Sequence, residues 1–155
     1  EHVTMDFVFW LARTQRDHDA IWVIVDQLTK SAHFLLVNMK YTLERLAKLY
    51  MDEIVRLHGV PVSIVSDRNP RFLSHFWQQM QGALGTKLSL STSYHPQTDW
   101  QLEKTIQTFE DMMRACIMDF GGSWDQHMML IKFAYNNSYH SSIQMAPYKT
   151  LYGRR

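Results

Sequence analysis

The chain has 155 residues, of which 46% are apolar and 13% aromatic, and its 16 Lys and Arg nearly balance its 15 Asp and Glu. This composition excludes a wholly disordered chain, which would have few aromatic residues and a large net charge. It predicts one globular domain over residues 1–155. Because the sequence begins without an initiator Met, almost at once in a strand-like run, we expect this domain to be a fragment of a longer chain. No apolar run reaches the roughly 18 residues of a membrane helix, and the single Cys116 can form neither an internal disulfide nor a cysteine zinc site. We therefore expect no membrane association and a reducing compartment.

Alternating and apolar runs predict three strands at the start of the chain. Residues 3–9 alternate, so Asp6 shares one face with Thr4 and Val8 while apolar side chains occupy the other face. Two β-rich runs follow at residues 20–25 and 32–37, joined by a polar connection. Together they predict an antiparallel meander with a carboxylate inside its first strand.

The rest of the chain alternates helices with short strands. In chain order we predict a helix from Thr42 to Gly59, a strand over 62–67, a helix over 73–84, a strand over 87–91, a long helix capped by Thr98 or Asp99 and ending near Phe120, a helix from Ser123 to about Tyr139, and a last turn over 146–152. Two strands thus come after crossover helices. The order predicts an α/β fold, a five-stranded mixed sheet with helices on both faces.

Three carboxylates occupy unusual positions in this scheme. Asp6 lies within the first strand, Asp67 ends the fourth, and Glu103 is early on the helix after the fifth. A carboxylate in an apolar strand stays charged only if something neutralises it, and a divalent cation does so well. Converging carboxylates suit Mg²⁺ or Mn²⁺, and two such ions can drive phosphoryl transfer on nucleic acid.

The short sequence motifs around these acids are Met5-Asp6-Phe7, Ser66-Asp67-Arg68 and the run HPQTDWQLE from His95 to Glu103, with 35 residues between the second and third acids. These motifs resemble those of the catalytic core of a gypsy-type LTR-retrotransposon integrase. The resemblance covers nearly the whole chain, since three longer segments are also similar to that family: Ile21 to Phe34, Leu57 to Phe72 and Phe133 to Gly153.

The resemblance implies an RNase H-like fold in which Asp6, Asp67 and Glu103 are catalytic and bind two Mg²⁺ or Mn²⁺ ions. The implied activity is a polynucleotidyl transferase that trims the 3′ ends of element cDNA and joins them to host DNA. Implied partners are both DNAs, further copies of the chain in a dimer or tetramer, an upstream zinc-binding module and a downstream module. The implied location is the nucleus, after a cytoplasmic virus-like particle.

DNA contacts are predicted on the loop and helix face near the third acid, for His95, Gln97, Asp99, Lys104 and Gln107. The other interpretation of these residues is a solvated helix start. An aromatic set is predicted as core or dimer surface rather than as a base-stacking platform, and it comprises Trp22, Phe34, Phe76, Trp77, Phe133 and Tyr135.

Three positions depart from the family pattern. Trp10 and Trp100 stand where the family tends to have Gly, and Asn69 where it often has Asp. Gly permits a close backbone approach that Trp does not. Two alternatives therefore stay open beside the integrase, namely an inactive core retained for dimerisation or DNA association, and an RNase H-like nuclease that cleaves without joining.

Overall fold

The computed structural model describes residues 2–9, 11–67, 69–90 and 96–153. Five strands form one sheet in the order β3-β2-β1-β4-β5. They are β1 (His2–Val8), β2 (Ala20–Asp26), β3 (Ala32–Val37), β4 (Ser63–Ser66) and β5 (Lys87–Leu90). The first three pair antiparallel, whereas β4 is parallel to β1 and β5 is parallel to β4. The predicted mixed sheet is confirmed, and β1 is its central strand.

Helices connect and cover these strands. Their bounds are α1 (Leu43–Tyr50), a π-helical segment (Met51–Val55), α2 (Arg56–His58), α3 (Pro70–Leu73), α4 (His75–Leu84), α5 (Pro96–Phe120), a 3₁₀ turn (Trp124–His127), α6 (Met128–Asn137) and α7 (Pro147–Tyr152). The first three segments form one helical stretch that ends at Gly59, whose positive φ of 80° suits glycine. None of the described helices has the length and apolarity needed to cross a bilayer.

The two faces of the sheet pack against different helices. On one face, Met5 and Trp22 contact a core that includes Tyr50 of α1 and Trp77 of α4. On the other face, Val8, Val23 and Phe34 join a core with Phe109 of α5 and Ile131 of α6. Because side chains alternate along a strand, Asp6 lies on the face covered by α5.

Two predicted helix boundaries are wrong. The helix predicted over residues 73–84 begins at His75, and Leu73 is the last residue of a separate helix, α3. Ser74 divides the two, because it has an extended backbone with ψ of 144° and its hydroxyl accepts from the N–H of Trp77 at 3.2 Å. Ser74 is therefore an N-cap rather than a helical residue. The long helix begins at Pro96 instead of near Thr98, in keeping with the preference of proline for the first helical turn.

Other differences are smaller. Ser123 has the extended backbone of a cap, but its side chain makes no capping bond and a 3₁₀ turn precedes α6. The last residue of the predicted fifth strand, Ser91, lies outside the described residues. Of the aromatic set predicted as core or dimer surface, four members are buried in the core, whereas Phe76 and Phe133 are 48% and 61% exposed.

A buried asparagine attaches α6 to the sheet edge. Asn136 is fully buried, its Nδ2 donates to the carbonyls of Ala32 at 3.0 Å and Lys132 at 2.8 Å, and its Oδ1 accepts from the N–H of Ala32 at 2.8 Å. One side chain thus satisfies both backbone groups of the first β3 residue. Sequence reasoning placed Asn136 in a family-like run without giving it this task.

Candidate metal centre and nucleic-acid site

The sheet brings the first two predicted acids to equivalent positions on neighbouring strands. Met5 of β1 pairs with Ser66 of β4 in the parallel register. Asp6 and Asp67 follow these residues, so they occupy equivalent positions on strands that lie about 4.8 Å apart. Both side chains are partly buried. The sequence predicted Asp6 within one strand and Asp67 at the end of another, but it did not predict that these strands are neighbours.

Short local hydrogen bonds orient the two carboxylates. Asp6 Oδ1 accepts from the N–H of Phe7 at 2.7 Å, and Asp67 Oδ1 accepts from the N–H of Asn69 at 3.1 Å. Asn69 in turn accepts from the N–H of Arg71 at 3.0 Å and caps α3. Asn and Asp are both good N-caps, so Asn69 fills this structural role where the family often has Asp.

Arg71 is a supporting residue that sequence reasoning missed. Its guanidinium donates to the carbonyl of Met39 and lies 5.5 Å from the ring centroids of both Phe7 and Phe9. These contacts fasten the turn after Asp67 to the end of β1. The sequence offered one signal for this residue, because Arg71 comes two positions after Asn69, the residue that caps α3.

The third predicted acid is on a different element. Glu103 is exposed on α5, the helix that packs against β1. The part of the chain that the structure describes contains no group of three His, Cys, Asp or Glu side chains placed to hold one metal ion. The two aspartates nevertheless offer hard oxygen donors, and these fit Mg²⁺. Donor chemistry therefore supports a metal centre at Asp6 and Asp67, with Glu103 as a ligand that stays a prediction.

The predicted DNA-contacting residues are only partly described. Lys104 and Gln107 are exposed on α5, and Gln107 Nε2 donates to Asp111 Oδ1 at 3.1 Å. Gln97 and Asp99 are in the helical backbone, with their side chains outside the described part, and His95 lies outside it entirely. Their contacts with DNA stay predictions.

Trp10 and Trp100 stand where the family tends to have Gly, and the structure describes the backbone of the second position alone. Trp10 lies outside the described residues. Position 100 is within the helical backbone of α5. Helical φ and ψ are open to every residue except proline without strain, so the backbone at this position makes no demand that only glycine meets.

The chain is similar to curated transposon proteins. No protein-family model matches it. It is 30% identical over 152 residues to the Transposon Tf2-3 and Tf2-4 polyproteins of Schizosaccharomyces pombe, an alignment that covers 98% of this chain. The chain spans only 11% of the length of these polyproteins.

Solved structures show the same fold. The simian T-cell lymphotropic virus intasome in complex with PP2A regulatory subunit B56 gamma gives a TM-score of 0.79 at 16% identity, over 99% of this chain and 55% of that one. The HTLV-2 integrase catalytic core domain in complex with magnesium gives 0.75 at 15% identity, over 96% and 93%. The catalytic core domain of BIV integrase gives 0.75 at 18% identity, over 96% and 91%.

These findings confirm the RNase H-like fold and the resemblance that the acid motifs predicted. The chain is homologous to a region of the Tf2 retrotransposon polyproteins and structurally related to the catalytic cores of retroviral integrases.

Proposed function

We propose that this chain is a polynucleotidyl transferase core that trims the 3′ ends of retrotransposon cDNA and joins them to host DNA. The observation that carries the proposal is the parallel register of β1 and β4, which gives Asp6 and Asp67 equivalent positions on neighbouring strands. Homology to the Tf2 polyproteins supports the retrotransposon origin. Glu103 would complete the site from α5, which packs on the same strand.

Both reactions are displacements at phosphorus. In trimming, a water oxygen forms the new bond to phosphorus and the adjoining 3′ oxygen leaves; in joining, the 3′-hydroxyl of the element end attacks and a host 3′ oxygen leaves. The nucleophile loses one proton to solvent and the leaving oxygen gains one, so no covalent enzyme intermediate is needed. Two bound Mg²⁺ or Mn²⁺ ions would supply nucleophile activation and charge stabilisation.

The chain's own residues would bind and orient the two metal ions. Asp6 and Asp67 would bind the ions, since the backbone N–H groups of Phe7 and Asn69 already fix one oxygen of each carboxylate. A magnesium complex of the HTLV-2 integrase core supports this choice of cation for the fold. Fixing the ligands before the ions arrive reduces the reorganisation that binding would otherwise require.

Stable DNA binding would need help from outside this chain. Its net charge is only +1, whereas strong binding to duplex DNA depends on many Lys and Arg contacts with phosphates. We propose that flanking zinc-binding and C-terminal modules of the polyprotein and further copies of the chain supply them. The place of action would be the nucleus, reached from a cytoplasmic particle.

Exposed apolar side chains near the end of α5 and on α6 support self-association. Met118 and Phe120 at the end of α5 are 78% and 69% exposed, and Met129 and Phe133 of α6 are 88% and 61% exposed. Exposed large apolar side chains are often buried in protein interfaces. We propose that some of them form part of a homo-oligomer interface.

The test is a resealing assay on a branched DNA that mimics the integration product, with Mg²⁺ or Mn²⁺ present. We expect metal-dependent resealing by the 155-residue chain, loss of product in Glu103→Gln, and retention in Glu110→Gln on the same helix. Cleavage without resealing would favour the nuclease alternative. No product from a folded, metal-binding chain would favour the inactive core, and Trp100→Gly then tests whether the indole blocks the reaction.

A further inference from the structure

A second site is formed by a cavity on the α5 face of the sheet, and the predicted metal ligands do not line it. Its volume is about 330 Å³, and its walls come from β1, the end of β2, the turn before β3, α5, and the segment after α6. Three of its lining residues carry or can carry positive charge, namely Lys30, Lys104 and His140. None of the described residues that line it is acidic.

The two lysines of the cavity act on the His140 imidazole. Burial and the charges of Lys30 and Lys104 hold the pKa of His140 below its ordinary value, so at neutral pH its ring is an uncharged hydrogen-bonding group. Burial also lowers the pKa of Lys30, although Asp26 opposes the shift. The positive charges of the two lysines favour an anion that enters the cavity.

The turn that carries Lys30 is held in place before any ligand arrives. Lys30 has a left-handed backbone with φ of 60°, which is uncommon for a residue with a side chain. Asp26 fixes the turn, because Oδ1 accepts from the N–H of Leu28 at 2.9 Å and Oδ2 accepts from the hydroxyl of Thr29 at 3.2 Å. Strained backbone that the surroundings hold in place is concentrated at functional sites.

The opposite wall is also fixed. His140 and Met145 form an isolated antiparallel bridge, with the His140 N–H donating to the Met145 carbonyl at 2.9 Å. The hydroxyl of Ser142 lies 3.0 Å from His140 Nδ1. The loop after α6 therefore presents its histidine and serines in one arrangement.

The remaining lining suits a phosphate with a sugar and base attached. Thr4 and Ser141 add hydroxyl groups to the lining, whereas the hydroxyls of Thr108 and Ser138 already donate to carbonyls of their own helices. Tyr139 lines the cavity and is 70% exposed, so its ring is available to a base. Stacking on an aromatic side chain and phosphate contact with lysine are the usual means of holding a single nucleotide.

We propose that this cavity binds one nucleotide unit, with its phosphate at Lys30, Lys104 and His140 and its base at Tyr139. The nucleotide comes either from a DNA strand held by the core or from a free nucleotide. The site does not depend on the metal centre, because its cations bind phosphate directly.

The test measures binding of two probes, deoxyadenosine monophosphate and a short single-stranded DNA, to the 155-residue chain without divalent metal. Lys30→Gln is the decisive variant, because Lys30 is on the turn before β3 rather than on the helix that carries Glu103. We expect Lys30→Gln to weaken binding about tenfold and to lower the salt dependence by about one unit of slope, as for one lost phosphate contact. Lys48→Gln, exposed on α1, is the matched control and leaves binding unchanged.

The two probes separate the two sources of the nucleotide. A loss of affinity for the monophosphate supports a pocket for free nucleotide, and a loss for DNA alone supports a strand phosphate. Tyr139→Ala should weaken either probe without changing the salt dependence, since it removes stacking and no charge. Equal binding by Lys30→Gln and Lys48→Gln, with both variants folded by thermal melting, overturns the proposal.

Discussion

The aspartate pair Asp6 and Asp67 and the cationic cavity lie on the same face of one sheet, yet they hold opposite charges. Asp6 lies within β1 and Asp67 directly follows the neighbouring parallel strand β4, whereas Lys30, Lys104 and His140 line a space between the sheet and α5. Glu103 and Lys104 are consecutive on that helix. A nearly neutral chain can therefore contain two strongly charged regions, and its net charge alone says little about its ligands.

The two regions differ in what they require from solution. Neighbouring carboxylates repel each other and repel phosphates, so the acidic region needs cations before nucleic acid can approach. The cationic cavity attracts phosphate directly. This difference leads to predictions in which one region fails while the other keeps working.

The largest expected effect comes from Asp67→Asn. We expect resealing to fall to background, because the variant removes a metal-binding carboxylate, while the melting temperature stays the same or rises slightly as carboxylate repulsion is relieved. The assay on branched DNA and a thermal melt measure both. Asp52→Asn, exposed on the π-helical segment, is the control, and unfolding of Asp67→Asn would contradict this account.

Removal of divalent metal from the unmodified chain should stop resealing at the aspartate pair and leave nucleotide binding at the cavity intact. With EDTA present we expect no resealing, while nucleotide binding at the cavity keeps its affinity within about twofold because Lys and His need no metal. Resealing and nucleotide titrations on the same preparation give both values. A joint loss would mean that the regions are one site.

Asn136→Ala should lower the unfolding free energy, because it removes the side chain that attaches α6 to the sheet edge beside the cavity. The variant loses three hydrogen bonds and leaves both backbone groups of Ala32 without this partner, which costs about 2–4 kcal/mol of unfolding free energy. Urea unfolding measures the cost. The control is Asn137→Ala, since the Asn137 side chain donates within its own helix, to the Phe133 carbonyl at 2.9 Å. An equal loss in both variants would contradict the assignment.

The effect that is smallest at neutral pH is on the pH dependence of stability, at a histidine outside both regions. Burial, with smaller contributions from Lys132 and His58, lowers the pKa of His33 to about 3 from an ordinary value of 6.5. The unfolded chain then binds the proton more readily, so stability is full above pH 6.5 and falls as the pH drops toward 3. His33→Gln should flatten this slope in urea unfolding at several pH values, and an unchanged slope would show that other groups determine it.

Sequence reasoning predicted the strands and the acid positions because both are encoded locally. Alternation along β1 put Asp6 on one face, and an apolar run ending on a carboxylate placed Asp67 at a strand end. The break at Ser74 was missed because apolar periodicity continues across it, and the hydroxyl cap is what stops the helix.

The cavity could not be predicted in the same way. Its walls join Thr4, Lys30, Thr108 and His140, which are brought together only when α5 and the loop after α6 pack against the sheet. No spacing along the chain signals such a combination. The left-handed backbone of Lys30 is likewise a product of the turn that Asp26 holds.

The most direct test of the central claim is a calorimetric titration of Mn²⁺ into the folded chain and its variants. If Asp6, Asp67 and Glu103 form one metal centre, the unmodified chain binds Mn²⁺, while Asp67→Asn and Glu103→Gln each lower the affinity at least about tenfold, as loss of a direct ligand should, and Glu110→Gln leaves it unchanged. Equal Mn²⁺ binding by all four proteins would contradict the claim.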